Sequence, residues 1–150
     1  MKGVTTYRRK LPHWRLQGSV YFVTWRLAKI QPVLCPEERD LVADSIRYFD
    51  GRRYKLLAYV IRDDHVHVLA LPFEENSLEY ILHSWKSFTA KRLRSFWKRS
   101  SPVWQDEYFD RIVRDEAELI EKTQYVMGNP SKRWPEIEDY PWVWCGSHGH

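Results

Sequence analysis

The stretch from Tyr54 to Leu71, YKLLAYVIRDDHVHVLAL, decides the fold. Two runs rich in β-branched, aromatic and aliphatic residues, Tyr54 to Arg62 and His65 to Leu71, flank the short, turn-prone pair Asp63-Asp64. That pattern predicts an antiparallel hairpin. Side chains alternate along a strand, so His65 and His67 project from the same face of the second run. Asp64, one position earlier, is expected on the opposite face.

Upstream, Ser19 to Leu27 (SVYFVTWRL), bounded by Gly18, reads as a strand. Pro36 opens a segment in which Leu41, Val42, Ile46 and Phe49 fall at helical spacing, with Gly51 as its stop. Downstream, Ser77 is placed to cap a long helix to about Arg99, with Leu78, Ile81, Leu82, Trp85, Phe88 and Leu93 as its apolar stripe. After Pro102, VWQDEYFDRIVR predicts another strand, and Asp115 caps a helix from Glu116 to about Gly128, ended by Asn129-Pro130. The order β-α-β-β-α-β-α suits an α+β fold of the ferredoxin-like (split βαβ) kind, an antiparallel sheet carrying helices. Such a fold hosts many activities, so side chains must decide the function.

The totals narrow the choice. At 150 residues, 43% hydrophobic and 29% charged, the chain fits one folded domain (1–150). Its flanks read as a basic arm (1–18) and a loop-like tail (131–150). No apolar run reaches the roughly 18 residues of a membrane helix and no signal-peptide core is present, so no membrane partner and a cytoplasmic location are expected. Cys35 and Cys145 are too few for a disulfide framework or a four-cysteine zinc site. The net charge is only +4, yet Lys2, Arg8, Arg9, Lys10, Arg15, Arg26 and Lys29 all precede the first acidic residue, Glu37. A second basic cluster, Lys86, Lys91, Arg92, Arg94, Lys98 and Arg99, lies on the long helix. Both suit a phosphate backbone, which attracts proteins largely through counterion release; a merely solvated surface is the alternative.

Two chemical groups stand out. The imidazoles of His65 and His67 open a strand that is otherwise wholly apolar, where burying polar rings costs free energy unless they are partnered. Two strand histidines can simply line a half-buried sheet, or they can share one metal ion. In the last helix Glu121, Tyr125 and Asn129 are spaced i, i+4, i+8 on one face, with Gln124 beside them. A metal on His65, His67 and the amide oxygen of Asn129 keeps open positions for a phosphate and water, as metal-assisted phosphoryl chemistry requires. A phenol ionises near pH 10, so attack by Tyr125 needs a nearby cation or base.

Four stretches, RRKLPHWRLQGSVYFVTWRL, YVIRDDHVHVLA, VWQDEYFDRIVRDEAEL and QYVMGNP, together resemble the REP-associated tyrosine transposases, single-tyrosine HUH endonucleases related to insertion-sequence transposases. The resemblance spans most of residues 8 to 130. It implies that His65 and His67 are the paired metal ligands, that Asn129 completes the site and that Tyr125 is the nucleophile. It also implies Mg²⁺ or Mn²⁺ as cofactor, single-stranded or hairpin DNA (REP-like repeats) as partner, and a 5′-phosphotyrosine intermediate with a free 3′-hydroxyl. A monomer or a homodimer is expected. Two departures are visible: Arg62-Asp63-Asp64 replaces a Met-Pro-Asn-like lead into the histidines, and Met127-Gly128 stands where a His-Asn pair is frequent.

On this reading Arg8, Arg9, Lys10, His13 and Arg15, with Lys86, Lys91, Arg92 and Lys98, hold the DNA backbone. One or two of Trp14, Trp25, Trp85, Trp97 and Trp104 stack unpaired bases. Asp64, Glu121 and Gln124 are candidates for proton transfer. The rival readings are a non-catalytic nucleic-acid-binding module, a replication-initiator or relaxase-like nickase, and a metal hydrolase in which Tyr125 is a bystander.

Overall fold

The computed structural model describes residues 18–146. In chain order the elements are β1 (Val20–Leu27), α1 (Pro36–Tyr48), β2 (Tyr54–Ile61), β3 (His65–Pro72), α2 (Leu78–Trp97), β4 (Trp104–Val113), α3 (Glu116–Arg133) and β5 (Val143–Cys145). The strands form one antiparallel sheet in the order β4-β1-β3-β2-β5. Its first four positions have the ferredoxin-like arrangement expected from the element order, and β5 extends the β2 edge.

Alternation along the strands sorts the core into two layers. Tyr21, Val23 and Trp25 of β1 and Val66, Val68 and Ala70 of β3 pack beneath α1 and α2. The intervening Val20, Phe22 and Leu69 face the other way, toward Val126 of α3. His65 and His67, in step with Leu69, therefore lie on the α3 side. Every residue of β1 but Arg26 is buried, as befits a strand flanked on both edges and covered by helices.

Local chemistry places the helix ends. Ser77 Oγ accepts from the Tyr80 N–H at 3.1 Å and Asp115 Oδ1 from the Glu118 N–H at 2.8 Å, satisfying donors that each first turn leaves free. At α1 the Glu38 carboxylate reaches back to the Cys35 N–H at 2.9 Å and also binds Arg99 through two bonds of 2.6 and 2.7 Å. Arg99 further donates to the carbonyls of Pro32 and Val33. A single buried ion pair thus ties the start of α1 to the chain just beyond α2.

Two boundaries differ from the sequence reading. Asn129-Pro130 does not end α3, which continues to Arg133 because Asn129 and Pro130 are both buried and packing outweighs the missing proline N–H. The tail from 131 is not all loop: it supplies the last turn of α3 and β5, which pairs with Ala58 to Val60. Among the described residues no helix is long and apolar enough to cross a membrane.

Candidate active site

The hairpin tip carries the site. β2 and β3 are joined by Arg62-Asp63-Asp64, closed by the Arg62 N–H on the His65 carbonyl at 2.8 Å. The carbonyls of Asp63 and Asp64 accept from the N–H groups of Leu34 and Leu27, pinning the tip to the chain leaving β1. The Asp63 side chain is buried against Arg62 and Arg133. Polar groups thus fix the backbone from which the histidines project.

Both imidazoles are held by second partners. His65 Nδ1 lies 2.7 Å from Asp64 Oδ1, and a carboxylate can only accept there, so Nδ1 carries the proton and Nε2 keeps its lone pair. Asp64, expected on the far face, instead turns its carboxylate to its neighbour; this is a correction to the simple alternation rule at the first residue outside the strand. Burial of Asp64 opposes its ionisation, but the bond to His65 prevails and lowers its pKa. His67 Nδ1 lies 2.6 Å from Thr24 Oγ1 of the adjacent strand. Its Nε2 is buried with no hydrogen-bond partner.

Burial, then the neighbouring His65 and the cations Arg26, Arg62 and Lys132, push the His67 pKa down to about 3. Burial likewise lowers that of His65 against the pull of Asp64. Neutral imidazoles are the form that ligates metal, and a histidine whose other nitrogen is held by a carboxylate or hydroxyl is already oriented for it.

α3 brings the other predicted residues to the same end of the sheet. The Tyr125 ring stands 5.3 Å from that of His67, and the two histidine rings are 4.7 Å apart. Asn129, one turn beyond Tyr125, is buried, and its Oδ1 accepts from Arg62 Nη1 at 3.0 Å. That bond sets which way the amide points, and a carbonyl oxygen has a second lone pair. Among the described residues no three His, Cys, Asp or Glu side chains gather to hold an ion, and the Asn129 amide oxygen is a side-chain donor at the same end of the sheet as the two histidines. The orphaned Nε2 of His67, the oriented His65 and the directed amide fit a divalent ion.

The remaining predicted residues are more scattered. Gln124 is exposed next to Tyr125, whereas Glu121 lines a shallow cleft with Arg111 and Arg114, away from the histidines. Lys86, Lys91, Arg92 and Lys98 belong to α2 or its cap, on the opposite layer, and Lys86 donates to the carbonyls of Gln105 and Asp106. Arg8, Arg9, Lys10, His13 and Arg15 lie outside the described residues. Of the tryptophans, Trp25, Trp85 and Trp104 are core residues packed on one another, Trp97 is half-buried, and Trp14 lies outside the described residues.

Sequence reasoning missed two cations. Lys132 Nζ sits 4.1 Å above the centre of the Tyr125 ring. It stands seven residues after Tyr125, two turns along, and was hidden by the premature stop assigned to α3. Arg62, which directs Asn129, had a weaker signal in its place at the hairpin tip.

Comparison with known proteins gives a family and a fold. Residues 21–129 match the family described as Transposase IS200 like. A candidate REP-associated tyrosine transposase of Haemophilus influenzae is 26% identical over 178 aligned positions, covering 96% of this chain and 95% of the relative. Among solved structures, a REP-associated tyrosine transposase bound to a REP hairpin superposes with a TM-score of 0.71 at 18% identity, over 84% of this chain and 76% of that one. A candidate transposase of Deinococcus radiodurans gives 0.55 at 22% identity, over 73% and 88%.

Proposed function

The chain belongs to the family of IS200-like transposases, and from that premise we propose that it cuts and rejoins single-stranded or hairpin DNA through a covalent bond to Tyr125, with a divalent metal ion. The observation that carries this reading is the buried, unpartnered Nε2 of His67 beside the Tyr125 ring. A buried nitrogen without a partner costs about 1–3 kcal/mol, and unlike the equally unpartnered Trp25 Nε1, which is an indole donor in the core, this one is an imidazole nitrogen beside a second histidine and a tyrosine.

His65, His67 and Asn129 would hold the ion. Bound there, Mg²⁺ or Mn²⁺ would supply Lewis-acid stabilisation of charge on a phosphate oxygen, worth several kcal/mol. Tyr125 Oη gives its proton to water and attacks phosphorus in line, the bond from phosphorus to the 3′-oxygen breaks, and that oxygen takes a proton from water to leave as a hydroxyl. The product is a 5′-phosphotyrosine, whose ester can be attacked by a 3′-hydroxyl to restore a phosphodiester without ATP. Lys132, over the ring, favours the negative charge that develops as the phenol loses its proton. Asp64 acts through His65 by holding its ring, so it is a positioning residue rather than a proton donor.

The basic arm (Arg8, Arg9, Lys10, His13, Arg15) is proposed to grip the backbone. Lys86, Lys91, Arg92 and Lys98 meet DNA only at a distance from the scissile phosphate, because they occupy the other layer. The hairpin as partner rests on the solved relative, which is bound to a REP hairpin.

The test is to incubate the protein with labelled hairpin oligonucleotides and Mn²⁺ and to run a denaturing gel. A labelled band at the mass of protein plus DNA, lost in Tyr125→Phe, is expected. Cleavage without that band would favour the hydrolase, and binding without cleavage the non-catalytic module.

A further inference from the structure

α3 covers only part of its face of the sheet. It packs chiefly on β2, β3 and β5 and reaches Phe22 of β1 and Arg111 of β4 through Tyr125 and Glu118, so what stays open is the end of the β1–β4 pair around Arg26, Glu107 and Phe109, beside His67 and Tyr125. A cleft of about 470 Å³ lies there, lined by Thr24, Arg26, His67, Glu107, Phe109 and Tyr125 among others. On its floor Phe109 is 42% exposed.

Register places Phe109 with respect to the chemistry. Phe109 pairs with Thr24 across β4–β1, and Thr24 pairs with His67 across β1–β3. The three stand in one row on one face, so Phe109 is two interstrand spacings, about 10 Å, from His67. A large aromatic kept open to water on a strand, in continuity with the site, contrasts with Trp25, Trp85 and Trp104, which are buried on the other face.

The polar groups around Phe109 have a definite sense. Glu107 is exposed, makes no ion pair among the described residues, and as a carboxylate only accepts hydrogen bonds. Gln105 donates one amide N–H to the Leu27 carbonyl at 3.0 Å and keeps both an N–H and its amide oxygen, so the acceptor sense of the cleft rests on Glu107. Arg26, also exposed, is the cation of the cleft.

From this arrangement we infer that the β1–β4 cleft is a nucleobase subsite: an unpaired base next to the scissile phosphate stacks on Phe109, and Glu107 accepts from its exocyclic amino group. Arg26 holds the phosphate of that nucleotide. The subsite prefers an amino-bearing base, whether cytosine, adenine or guanine, to thymine, which has no exocyclic amine. It makes Phe109 and Glu107 specificity residues without a part in the transfer step. The inference rests on the DNA-processing reading above and adds a choice of base to it.

The test separates the two. Full-length Tyr125→Phe protein is titrated with hairpin oligonucleotides whose unpaired flank carries 2-aminopurine at each position in turn, a base whose fluorescence is quenched by stacking. One position is expected to be quenched on binding, with the quench abolished in a Phe109→Ala, Tyr125→Phe protein and retained with Phe109→Trp. Loss of one stacked base should weaken binding roughly 5- to 150-fold. Glu107→Gln should leave the quench but narrow the preference over thymine at that position by at least fivefold.

Equal quenching and affinity in the Phe109→Ala protein would overturn the subsite while leaving the adduct assay to judge the transfer reaction. Failure of every oligonucleotide to bind would overturn both. Phe109 is on an edge strand and partly exposed, and the Phe109→Trp protein reports on the fold of the variant.

Discussion

Replacing Thr24 by Val and His67 by Leu together should cost the metal-free protein little and remove its response to metal. His67 is 4% exposed and its Nε2 has no partner, so its removal recovers about 1–3 kcal/mol of unpaid desolvation. The bond between Thr24 and His67 is lost at about 1 kcal/mol, and changing both partners leaves no new orphan on Thr24. Reshaping a packed position adds a penalty of up to about 1.5 kcal/mol. The sum places the double variant within about 2 kcal/mol of the parent, a melting shift of no more than about 4–8 °C for a chain this size. Chemical denaturation in EDTA measures it. Repeated with Mn²⁺ at a hundredfold excess over its dissociation constant, the parent should gain about 2.7 kcal/mol and the variant nothing. A metal-free loss beyond about 3 kcal/mol would mark His67 as an ordinary core residue. Equal stabilisation of both proteins by Mn²⁺ would place the ion elsewhere.

Gly128→Ala should raise stability by about 0.5–1 kcal/mol in thermal melts, since the helical Gly128 has nothing within 4 Å of an added Cβ. Lys132→Met should slow adduct formation roughly tenfold, equivalent to about 1.4 kcal/mol of barrier, with an unchanged melting curve, because it removes the charge above the Tyr125 ring. Burial disfavours the Glu38 carboxylate, but its bonds to Arg99 and the Cys35 N–H outweigh that and lower its pKa. The folded state therefore binds this proton less readily than the unfolded one; the contribution is complete above the ordinary glutamate range and is lost as pH falls through the lowered value. Glu38→Gln should cost about 3–5 kcal/mol at neutral pH by stranding Arg99, and should flatten the acid limb of stability against pH.

Much of this was legible in the sequence because the signals were local. The period-two runs around Asp63-Asp64 gave the hairpin, Ser77 and Asp115 marked their helix starts, and the two-residue spacing of His65 and His67 put both rings on one face. The four-residue step from Tyr125 to Asn129 placed both at one end of the sheet. What failed was nonlocal. Helical periodicity shows which residues of α2 share a face but not which side of the sheet the helix covers, so the position of Lys91 and Arg92 on the layer opposite the histidines was not readable. Asn129-Pro130 signals a helix end in isolation, and only burial in the fold carries α3 through to Lys132 and Arg133. Val143–Cys145 is too short to declare itself; it is a strand because the β2 edge offers it partners. No local signal sets Phe109 apart from the tryptophans, because its exposure depends on where α3 stops covering the sheet.

The central claim, that Tyr125 becomes covalently joined to DNA, is tested most directly by identifying the joined residue. The protein is reacted with a hairpin oligonucleotide and Mn²⁺, digested with nuclease and protease, and the peptides are sequenced by mass spectrometry. The account predicts a nucleotide attached through its 5′-phosphate to the peptide containing Gln124-Tyr125-Val126, absent when EDTA replaces Mn²⁺. A nucleotide attached to any other residue, or DNA cleaved to completion with every tyrosine peptide unmodified, would contradict it.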